Sequence, residues 1–294
     1  MKDSNIGAPT ARSPRNTFRG LFVAPTWTRV RAVGVVVLLA SYVAFRGCSR
    51  VRPVEPAPSP ALRVMTFNLD VDAPERESAL KAIEEAGADV VCLQEVSPDW
   101  ERALAARFRA RYPEMRFVRA PNPYGGAAIL SRFPVHRHAE IPIAPGGWFP
   151  SQWAVVETPL GLVQVLNVHL RPPATDGGNK VIGVFTSGGP RKREVAEILS
   201  KLEPGVATIV AGDFNEGDGG GAVGVVRGRG LADCLSQFDK HTQTWRMRGG
   251  GLIRLAERAD HVLTSKELHC TEARVIQEAS SDHDPVVAVL GRAR

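Results

Sequence analysis

Short apolar runs separated by polar, glycine-containing or proline-containing segments make up the chain from residue 62 onward. Continuous or alternating apolar positions predict strands, and apolar positions at helical spacing predict helices. The predicted strands are Leu62–Asn68, Asp89–Glu95, Ala127–Leu130, Trp153–Glu157, Val163–His169, Thr208–Gly212, Asp260–Thr264 and Val286–Leu290. The predicted helices are Glu75–Ala86, Asp99–Tyr112 and Lys192–Leu202. This alternation predicts an α/β domain over residues 62–294.

The first 61 residues have a different pattern, which divides them into three segments. Residues 1–31 are polar and basic and predict a disordered tail. Residues 32–45 carry no charge and are mostly Val, Leu and Ala, and arginines flank them on both sides. Residues 46–61 contain four prolines, at positions 53, 56, 58 and 60, and predict an extended linker.

The apolar segment 32–45 is shorter than the ~20 residues that a spanning helix usually needs. Its length and basic flank also fit a secretory signal. We expect an uncleaved membrane anchor, with secretion after cleavage as the alternative and a buried helix as a third interpretation. The basic excess before the segment would keep the N-terminus in the cytoplasm and place the domain outside it. We expect the protein to be a monomer.

The positive charge is concentrated in the tail. The formal net charge is +6, but residues 1–60 contain nine Lys/Arg and two Asp/Glu, a net of +7. The remainder contains 28 basic and 29 acidic residues, a net of −1. A near-neutral domain does not have the basic surface that is typical of nonspecific nucleic-acid binding.

The four cysteines do not form the paired pattern of a zinc knot, because no two of them are separated by only two residues. Cys92 lies in an apolar run and is expected in the core. A disulfide between Cys234 and Cys270 is an alternative to free thiols if the domain lies outside the cytoplasm.

Polar residues stand at the ends of six predicted strands or just beside them, which suggests one site where the strand ends converge. These residues are Asn68, Glu95, His169, Asp213 with Asn215, Asp260, and Asp282 with His283. Carboxylate and amide oxygens without thiolates suit a hard cation such as Mg²⁺ or Mn²⁺. Such an ion stabilises charge on a phosphoryl oxygen, a carboxylate can activate water, and a histidine paired with an aspartate can contact the phosphate.

Six short motifs in this order resemble those of the endonuclease/exonuclease/phosphatase superfamily, over about residues 62–290. They are Thr66-Phe67-Asn68, Leu93-Gln94-Glu95, Leu130-Ser131-Arg132-Phe133-Pro134, Asn167-Val168-His169, Gly212-Asp213-Phe214-Asn215 and Ser281-Asp282-His283-Asp284-Pro285. The resemblance implies a four-layer α/β/β/α sandwich, with two mixed sheets packed face to face and helices outside. The Asn167-x-His169 motif is more similar to the deoxyribonuclease and sphingomyelinase branches than to the abasic-site repair branch.

The resemblance also implies a role for each site residue. Glu95 is identified as the principal metal ligand, with Asn68 beside it and Asp282 as a further carboxylate on the metal side. Asp213 is expected to activate the attacking water, and Asn215 to orient it. His169 and His283 are expected to contact the phosphate, with Asp260 fixing the tautomer of His283.

Three features near these motifs are weaker candidates. Asp70 lies two residues after Asn68 and is a weaker candidate for helping to hold the metal. His261 adjoins Asp260, but strand alternation points its side chain to the other face. The glycine-rich segment 217–221 and the segment Pro172–Pro190 are predicted to be flexible loops.

These expectations favour a metal-dependent phosphodiesterase that acts as a nuclease or in the manner of a phospholipase C. The substrate would be a nucleic acid or a phospholipid head group, and the sequence does not separate the two. The alternative is a catalytically inactive, membrane-anchored binding module of the same fold. Metal-dependent turnover of a simple phosphodiester distinguishes the two functions.

Overall fold

Two six-stranded sheets form the centre of the domain in a computed structural model that describes residues 51–57, 59–173, 187–247, 255–277 and 280–293. In chain order, the strands are β1 (Leu62–Asn68), β2 (Val90–Val96), β3 (Glu114–Val118), β4 (Gly126–Ser131), β5 (Val135–Ile141), β6 (Ser151–Thr158), β7 (Gly161–His169), β8 (Ala207–Asp213), β9 (Ala232–Asp233), β10 (Trp245–Arg246), β11 (Ala256–Glu257), β12 (Asp260–Thr264), β13 (Leu268–Val275) and β14 (Val286–Arg292). The first sheet has the order β13-β14-β1-β2-β4-β3 and the second has the order β5-β6-β7-β8-β12-β9. Both sheets are mixed, because β1 pairs in parallel with β2 and β7 in parallel with β8, whereas their other pairs are antiparallel.

Five helices accompany the sheets in the described residues: α1 (Glu77–Ala86), α2 (Pro98–Phe108), α3 (Gly188–Leu199), α4 (Gly221–Gly228) and α5 (Leu235–Phe238). Local sequence sets several of their ends. The Ser97 side chain accepts a hydrogen bond from the Trp100 amide and caps α2, and Pro98 takes the first helical position. Gly87 ends α1 in the left-handed region, with φ of 59°.

Three apolar clusters show that the layers are helices, sheet, sheet and helices. The cluster between the sheets contains Val64 and Ile129 from one sheet and Val165 and Ile209 from the other. A second cluster packs α1 and α2 on the outside of the first sheet, and a third packs α3 and α4 on the outside of the second. The expected four-layer α/β/β/α sandwich is therefore confirmed.

The pairing registers bring the polar strand ends to one edge of the sandwich. Asn68 lies beside Gln94 at the carboxyl ends of parallel β1 and β2. His169 lies beside Asp213 at the carboxyl ends of parallel β7 and β8, and Asp213 in turn faces Asp260 on antiparallel β12. Both sheets therefore supply polar residues to the same edge.

The two loops predicted from glycine and proline content are partly helical. Residues 188–190 form the first turn of α3, and residues 174–186 of the same prediction lie outside the described residues. Gly221 begins α4, and the Glu216 carboxylate accepts hydrogen bonds from the Ala222 and Val223 amides at its first turn. A buried carboxylate therefore lies at the N-terminus of α4, and residues 217–220 before it form a turn outside the helix.

The N-terminal predictions fall largely outside the described residues, which begin at residue 51 and therefore leave out the apolar segment 32–45. Within the described ranges, no helix has the length and apolarity needed to cross a membrane. Part of the predicted linker is held by hydrogen bonds from the Arg52 amide to the Gln237 carbonyl and from the Glu55 amide to the Thr271 carbonyl. Cys234 and Cys270 are buried as free thiols in the cluster between the sheets, as is Cys92.

Candidate active site

Asn68 lies at the centre of the candidate site, where its side-chain amide nitrogen donates to two carboxylates. Nδ2 lies 3.1 Å from Oε1 of Glu95 and 3.0 Å from Oδ2 of Asp213. The Asn68 Oδ1 accepts the Asp70 amide at 3.0 Å, which fixes the orientation of the side chain. Asn68 thus links the first sheet to the second and holds both acidic groups in place.

Glu95 is oriented from both of its carboxylate oxygens, since Oε2 accepts the Val71 amide at 2.9 Å. Its backbone is in the left-handed region, with φ of 58°. Asp70 and Asn215 have similar values of 54° and 52°, and these are the three non-glycine residues with positive φ in the described chain. Such a conformation costs about 1–3 kcal/mol and tends to be kept where function requires it. All three residues are among those that the sequence singled out.

Asp213 is almost fully buried and lies between two imidazole rings. Its Oδ2 is 3.4 Å from Nε2 of His169 and 3.6 Å from Nε2 of His283. Burial alone would raise the pKa of Asp213, but the charges of His283 and His169 lower that pKa well below its usual value. Asp213 is therefore a carboxylate at neutral pH.

Asn215 follows Asp213 and forms three contacts that shape the turn after β8. Its amide donates to Oδ1 of Asp213 at 2.7 Å, and its Nδ2 donates to the Leu170 carbonyl at 2.8 Å. The same Nδ2 lies 3.4 Å from Oδ2 of Asp213. Asn215 therefore orients the carboxylate and joins the ends of β7 and β8.

His283 forms the hydrogen bond with Asp260 that the sequence predicted, with Nδ1 2.8 Å from Oδ2. Burial alone would lower the pKa of His283, but the carboxylates of Asp260 and Asp213 raise that pKa well above its usual value. Burial also raises the pKa of Asp260. Both shifts mean that the pair retains its proton at neutral pH, with Nε2 of the ring directed toward Asp213.

His169 is held by stacking as well as by carboxylates. Its ring is parallel to that of Phe149, with 3.6 Å between centroids and 8° between planes. Its Nε2 is 4.0 Å from Oε1 of Glu95. Its Nδ1 is buried and has no hydrogen-bond partner among the described residues. The ring therefore presents Nε2 to the same space as Glu95, Asp213 and His283.

Asp282 lies on the His283 side of the site, where Trp245 holds it. The Trp245 indole Nε1 donates to Oδ2 of Asp282 at 3.0 Å, and Oδ1 is 3.9 Å from Nε2 of His283. Asp282 therefore lies beside Trp245 and His283. Asn68, in contrast, is in direct contact with Glu95. Asp70 uses Oδ1 to accept the Asp72 amide at 3.0 Å.

Sequence reasoning missed several residues that support the site. Trp245 and Phe149 lie in segments without a regular apolar period, so no pattern pointed to them. Glu194 projects from α3 and accepts the Arg171 amide at 2.9 Å, and burial raises its pKa to about 7. The one sequence signal that could have revealed Glu194 is its position in the helix, at the spacing of the buried residues, where a glutamate is rare unless it has a partner.

The residues fit a hard divalent cation by the chemistry of their donor atoms. Glu95 and Asp213 offer carboxylate oxygens, and the three described cysteines lie in the core instead. Side-chain atoms of Asp213, Asp260 and His283 also lie within 4.8 Å of one another. In addition, Oδ1 of Asp260 is buried and has no hydrogen-bond partner in the described chain.

This arrangement joins a deprotonated carboxylate, a protonated imidazole and further oxygen donors within a few ångströms. Such a set can activate water, stabilise negative charge that develops on an oxyanion, and hold a cation. Its donors come from five strands of two sheets, so the fold, and no single loop, fixes their spacing.

A model described as the Endonuclease/Exonuclease/phosphatase family matches residues 65–283, which contain nearly all of the site. Among solved structures, the chain is similar to an endonuclease/exonuclease/phosphatase from Beutenbergia cavernae, with a TM-score of 0.65 and 22% identity over 79% of this chain and 72% of that one. It is also similar to the human nocturnin catalytic domain with bound sulfate, with a TM-score of 0.61 and 20% identity over 84% and 100% of the two chains. For sphingomyelinase C from Streptomyces griseocarneus, the TM-score is 0.57 and the identity is 19% over 80% and 100%. No curated protein matches the chain by sequence.

Proposed function

The chain belongs to the endonuclease/exonuclease/phosphatase family, and from this premise we propose that it is a divalent-metal-dependent hydrolase of phosphodiester bonds. Members of this family are hydrolases that act on phosphoester bonds. The observation that supports the proposal most directly is the meeting of Glu95, Asp213 and the two imidazoles around Asn68, at 3.0 to 4.0 Å. Each acidic or basic group that the reaction requires is present there.

Mg²⁺ or Mn²⁺ is the metal that we propose, since both prefer oxygen ligands. Glu95 would hold it, with Asp282 and Asn68 as the further residues predicted on the metal side. When bound, the ion neutralises a phosphate oxygen and the charge that develops on phosphorus. Asn68 also positions Glu95, because its side-chain nitrogen donates to Oε1 of that residue.

Asp213 is the group that we propose to activate the attacking water. Its lowered pKa keeps it ionised, and its neighbours hold it rigidly through both oxygens. Asn215 lies beside the same carboxylate and orients the water that Asp213 deprotonates. General-base help of this kind is commonly worth about 10²–10⁴-fold in rate.

His283 and His169 would donate from Nε2 to phosphoryl oxygens. The Asp260 hydrogen bond at Nδ1 fixes the His283 tautomer and leaves Nε2 as the donor. Stacking on Phe149 fixes the plane of His169. These preorganised donors stabilise the transition state without a cost of reorientation.

Hydrolysis of bis-p-nitrophenyl phosphate by the full-length chain, with Mg²⁺ or Mn²⁺ added, tests the proposal. We expect turnover that EDTA abolishes and that Glu95→Gln lowers sharply through weaker metal binding. Glu140→Gln is the matched control, because Glu140 is an exposed glutamate on β5. Full turnover in EDTA would contradict the metal role. No turnover with either metal, on this or any natural phosphodiester, would favour the inactive binding module.

We also propose that residues 32–45 attach the chain to a membrane as a monomer, with the domain outside the cytoplasm. The uncharged run between arginines supports attachment, and the basic excess before it supports the orientation. Sedimentation of the full-length chain with membranes, and digestion of the domain by protease added to intact cells, test the two parts. A soluble chain shortened at its N-terminus would favour secretion instead.

A further inference from the structure

A run of aromatic rings leads from the candidate site to the protein surface. It begins at His169 and continues through Phe149, which is 5% exposed. Tyr124 meets Phe149 edge-on at 6.4 Å and 71°, and stacks on Trp148 at 6.0 Å with 22° between planes. Tyr124 is 47% exposed, so the run is buried at His169 and open to solvent at its other end.

Among the described residues, Tyr124 is the one exposed phenylalanine, tyrosine or tryptophan side chain. Its loop is fixed against the site at two points. Gly125, with φ of 81°, packs so closely on the Glu95 backbone that a Cβ there would lie 2.6 Å from the Glu95 carbonyl carbon. The Asn122 Nδ2 donates to the Trp148 carbonyl at 2.6 Å and its Oδ1 accepts the Tyr124 amide at 3.1 Å. Tyr124 is therefore held beside the proposed metal ligand without depending on a mobile loop.

The charge and shape beside these rings favour a flat, anionic ligand. The Arg171 guanidinium lies 5.5 Å from the Trp148 ring, and its NH1 donates to the Gly146 carbonyl. A quaternary ammonium, as in a choline head group, would have to share Trp148 with this cation. Quaternary ammonium groups also prefer a site with several open ring faces around them. Here His169 covers the face of Phe149, and Tyr124 and Trp148 are nearly parallel, so the rings do not surround a ligand.

We propose that Tyr124 and Trp148 form an aromatic shelf that stacks an unpaired nucleobase next to the phosphodiester being cleaved. Proteins that bind single-stranded nucleic acid combine groups that contact the backbone with aromatic rings on which bases stack. This inference rests on the proposed phosphodiesterase function and narrows its substrate to a nucleotide or single strand. It also fits a domain with a net charge of −1, because stacking does not need a broad basic surface.

The test measures binding and turnover separately in the full-length chain. Fluorescence anisotropy with EDTA present, to prevent cleavage, gives the Kd for a short oligothymidylate and for an abasic strand of the same length. Turnover of bis-p-nitrophenyl phosphate with Mg²⁺ shows separately whether the site hydrolyses a phosphodiester. The variants are Tyr124→Ala, Tyr124→Phe and the control Leu162→Ala, which removes an exposed apolar side chain at the far end of β7 from His169.

We expect Tyr124→Ala to raise the Kd for oligothymidylate about 5- to 100-fold, the equivalent of ~1–3 kcal/mol of stacking at 1.4 kcal/mol per tenfold. Tyr124→Phe should restore binding, because it keeps the ring, and Leu162→Ala should leave it unchanged. The Kd for the abasic strand should be the same in all variants, and the turnover of bis-p-nitrophenyl phosphate should be unchanged in the control Leu162→Ala. The loss should persist when salt is raised, since it is not electrostatic.

An equal loss with the abasic strand would overturn the shelf, since no base would then be in contact with it. Hydrolysis of sphingomyelin vesicles that depends on Tyr124, without any effect on oligothymidylate, would overturn it in favour of a choline head group. Absence of turnover together with base-dependent binding would overturn the proposed hydrolase and support the shelf as a binding site. The two failures are therefore distinguishable.

Discussion

Two buried histidines of this domain each form a 2.8 Å contact from Nδ1 to an aspartate, and their surroundings differ. His283 pairs with Asp260, and His261 pairs with Asp233. Asp260 and His261 are neighbours on β12, so their side chains lie on opposite faces of the second sheet. One pair lies in the candidate site and the other lies under the outer helices, edge-on to Phe214 at 5.2 Å.

The two pairs differ in what the second ring nitrogen, Nε2, contacts. Nε2 of His261 is 3.0 Å from the Glu216 carbonyl, so both of its nitrogens are used within the protein. Nε2 of His283 instead lies 3.6 Å from Asp213 and 3.9 Å from Asp282 in the site. In the His283–Asp260 pair, Nε2 is thus available to donate to a ligand. In the His261–Asp233 pair, both ring nitrogens are used within the protein. We expect the first to determine rate and the second to determine stability.

Removal of His283 should have the largest effect. We expect His283→Ala to lower kcat on bis-p-nitrophenyl phosphate by about 10³–10⁴-fold, ~4–5.5 kcal/mol, because a preorganised charged donor is lost from the transition state. His261→Ala should leave kcat per folded molecule within a few-fold of the wild type. Steady-state kinetics with the folded fraction measured by circular dichroism compares the two. Similar losses of kcat in both variants would remove the distinction.

Asp233→Asn should show the reverse behaviour, with a loss of stability and little loss of rate. It removes the closest counter-charge of a buried imidazolium, and breaking a buried pair in this way costs about 3–5 kcal/mol. Urea denaturation measures the free energy of unfolding, and kcat measured where the variant is still folded gives the rate. A variant as stable as the wild type would show that the pair does not hold the structure.

Asp260→Asn should cost rate through its effect on His283. We expect a loss of about 100-fold, ~2.7 kcal/mol, from misorientation of the ring and loss of its charge. In a His283→Ala background the same substitution should have little further effect, and a double-mutant cycle measures this coupling. If the two losses multiply independently, Asp260 does not act through His283.

Much of this contrast could be predicted from the sequence, because the polar residues of the site follow long apolar strands. Apolar runs in β1, β2, β8 and β12, which are almost entirely buried in the structure, made these strands evident in the sequence. Strand alternation then assigned Asp260 and His261 to opposite faces. Strands β3, β5 and β13 were missed, since they are partly exposed and interrupt apolar residues with charged ones.

The aspartate partners of the two histidines differ in how readily the sequence reveals them. Asp260 belongs to a recognisable motif, whereas Asp233 lies on the two-residue strand β9, for which no periodic pattern exists. Trp245, which holds Asp282, likewise lies on a two-residue strand. Tyr124 lies in a loop, and its place beside Glu95 depends on a contact between segments that are distant in sequence. Contacts of this kind are formed by tertiary packing, and local preference does not encode them.

The smallest expected effect is the pH dependence of the structural pair. Burial alone would lower the pKa of His261, but the hydrogen bond and charge of Asp233 raise it to about 8, against 6.5 for the unfolded chain. The folded state therefore binds a proton more tightly, so the stabilisation is complete below pH 6.5 and is lost as pH rises through 8. It amounts to about 2 kcal/mol. Asp233 stays ionised throughout, because its pKa is lowered by the same partner against the effect of burial.

His261→Gln isolates this contribution, since glutamine can form hydrogen bonds but does not titrate. The difference in free energy of unfolding between wild type and His261→Gln should shrink by about 2 kcal/mol from pH 6.5 to pH 9 in urea titrations. Taking the difference cancels the groups that both proteins share, including Glu194, whose pKa burial raises to about 7, and His283. A difference that stays constant across this range would mean that His261 is neutral when folded. The two histidine pairs would then differ in charge as well as in the partner of Nε2, because His283 retains its proton beside three carboxylates within 4.0 Å, whereas His261 has two.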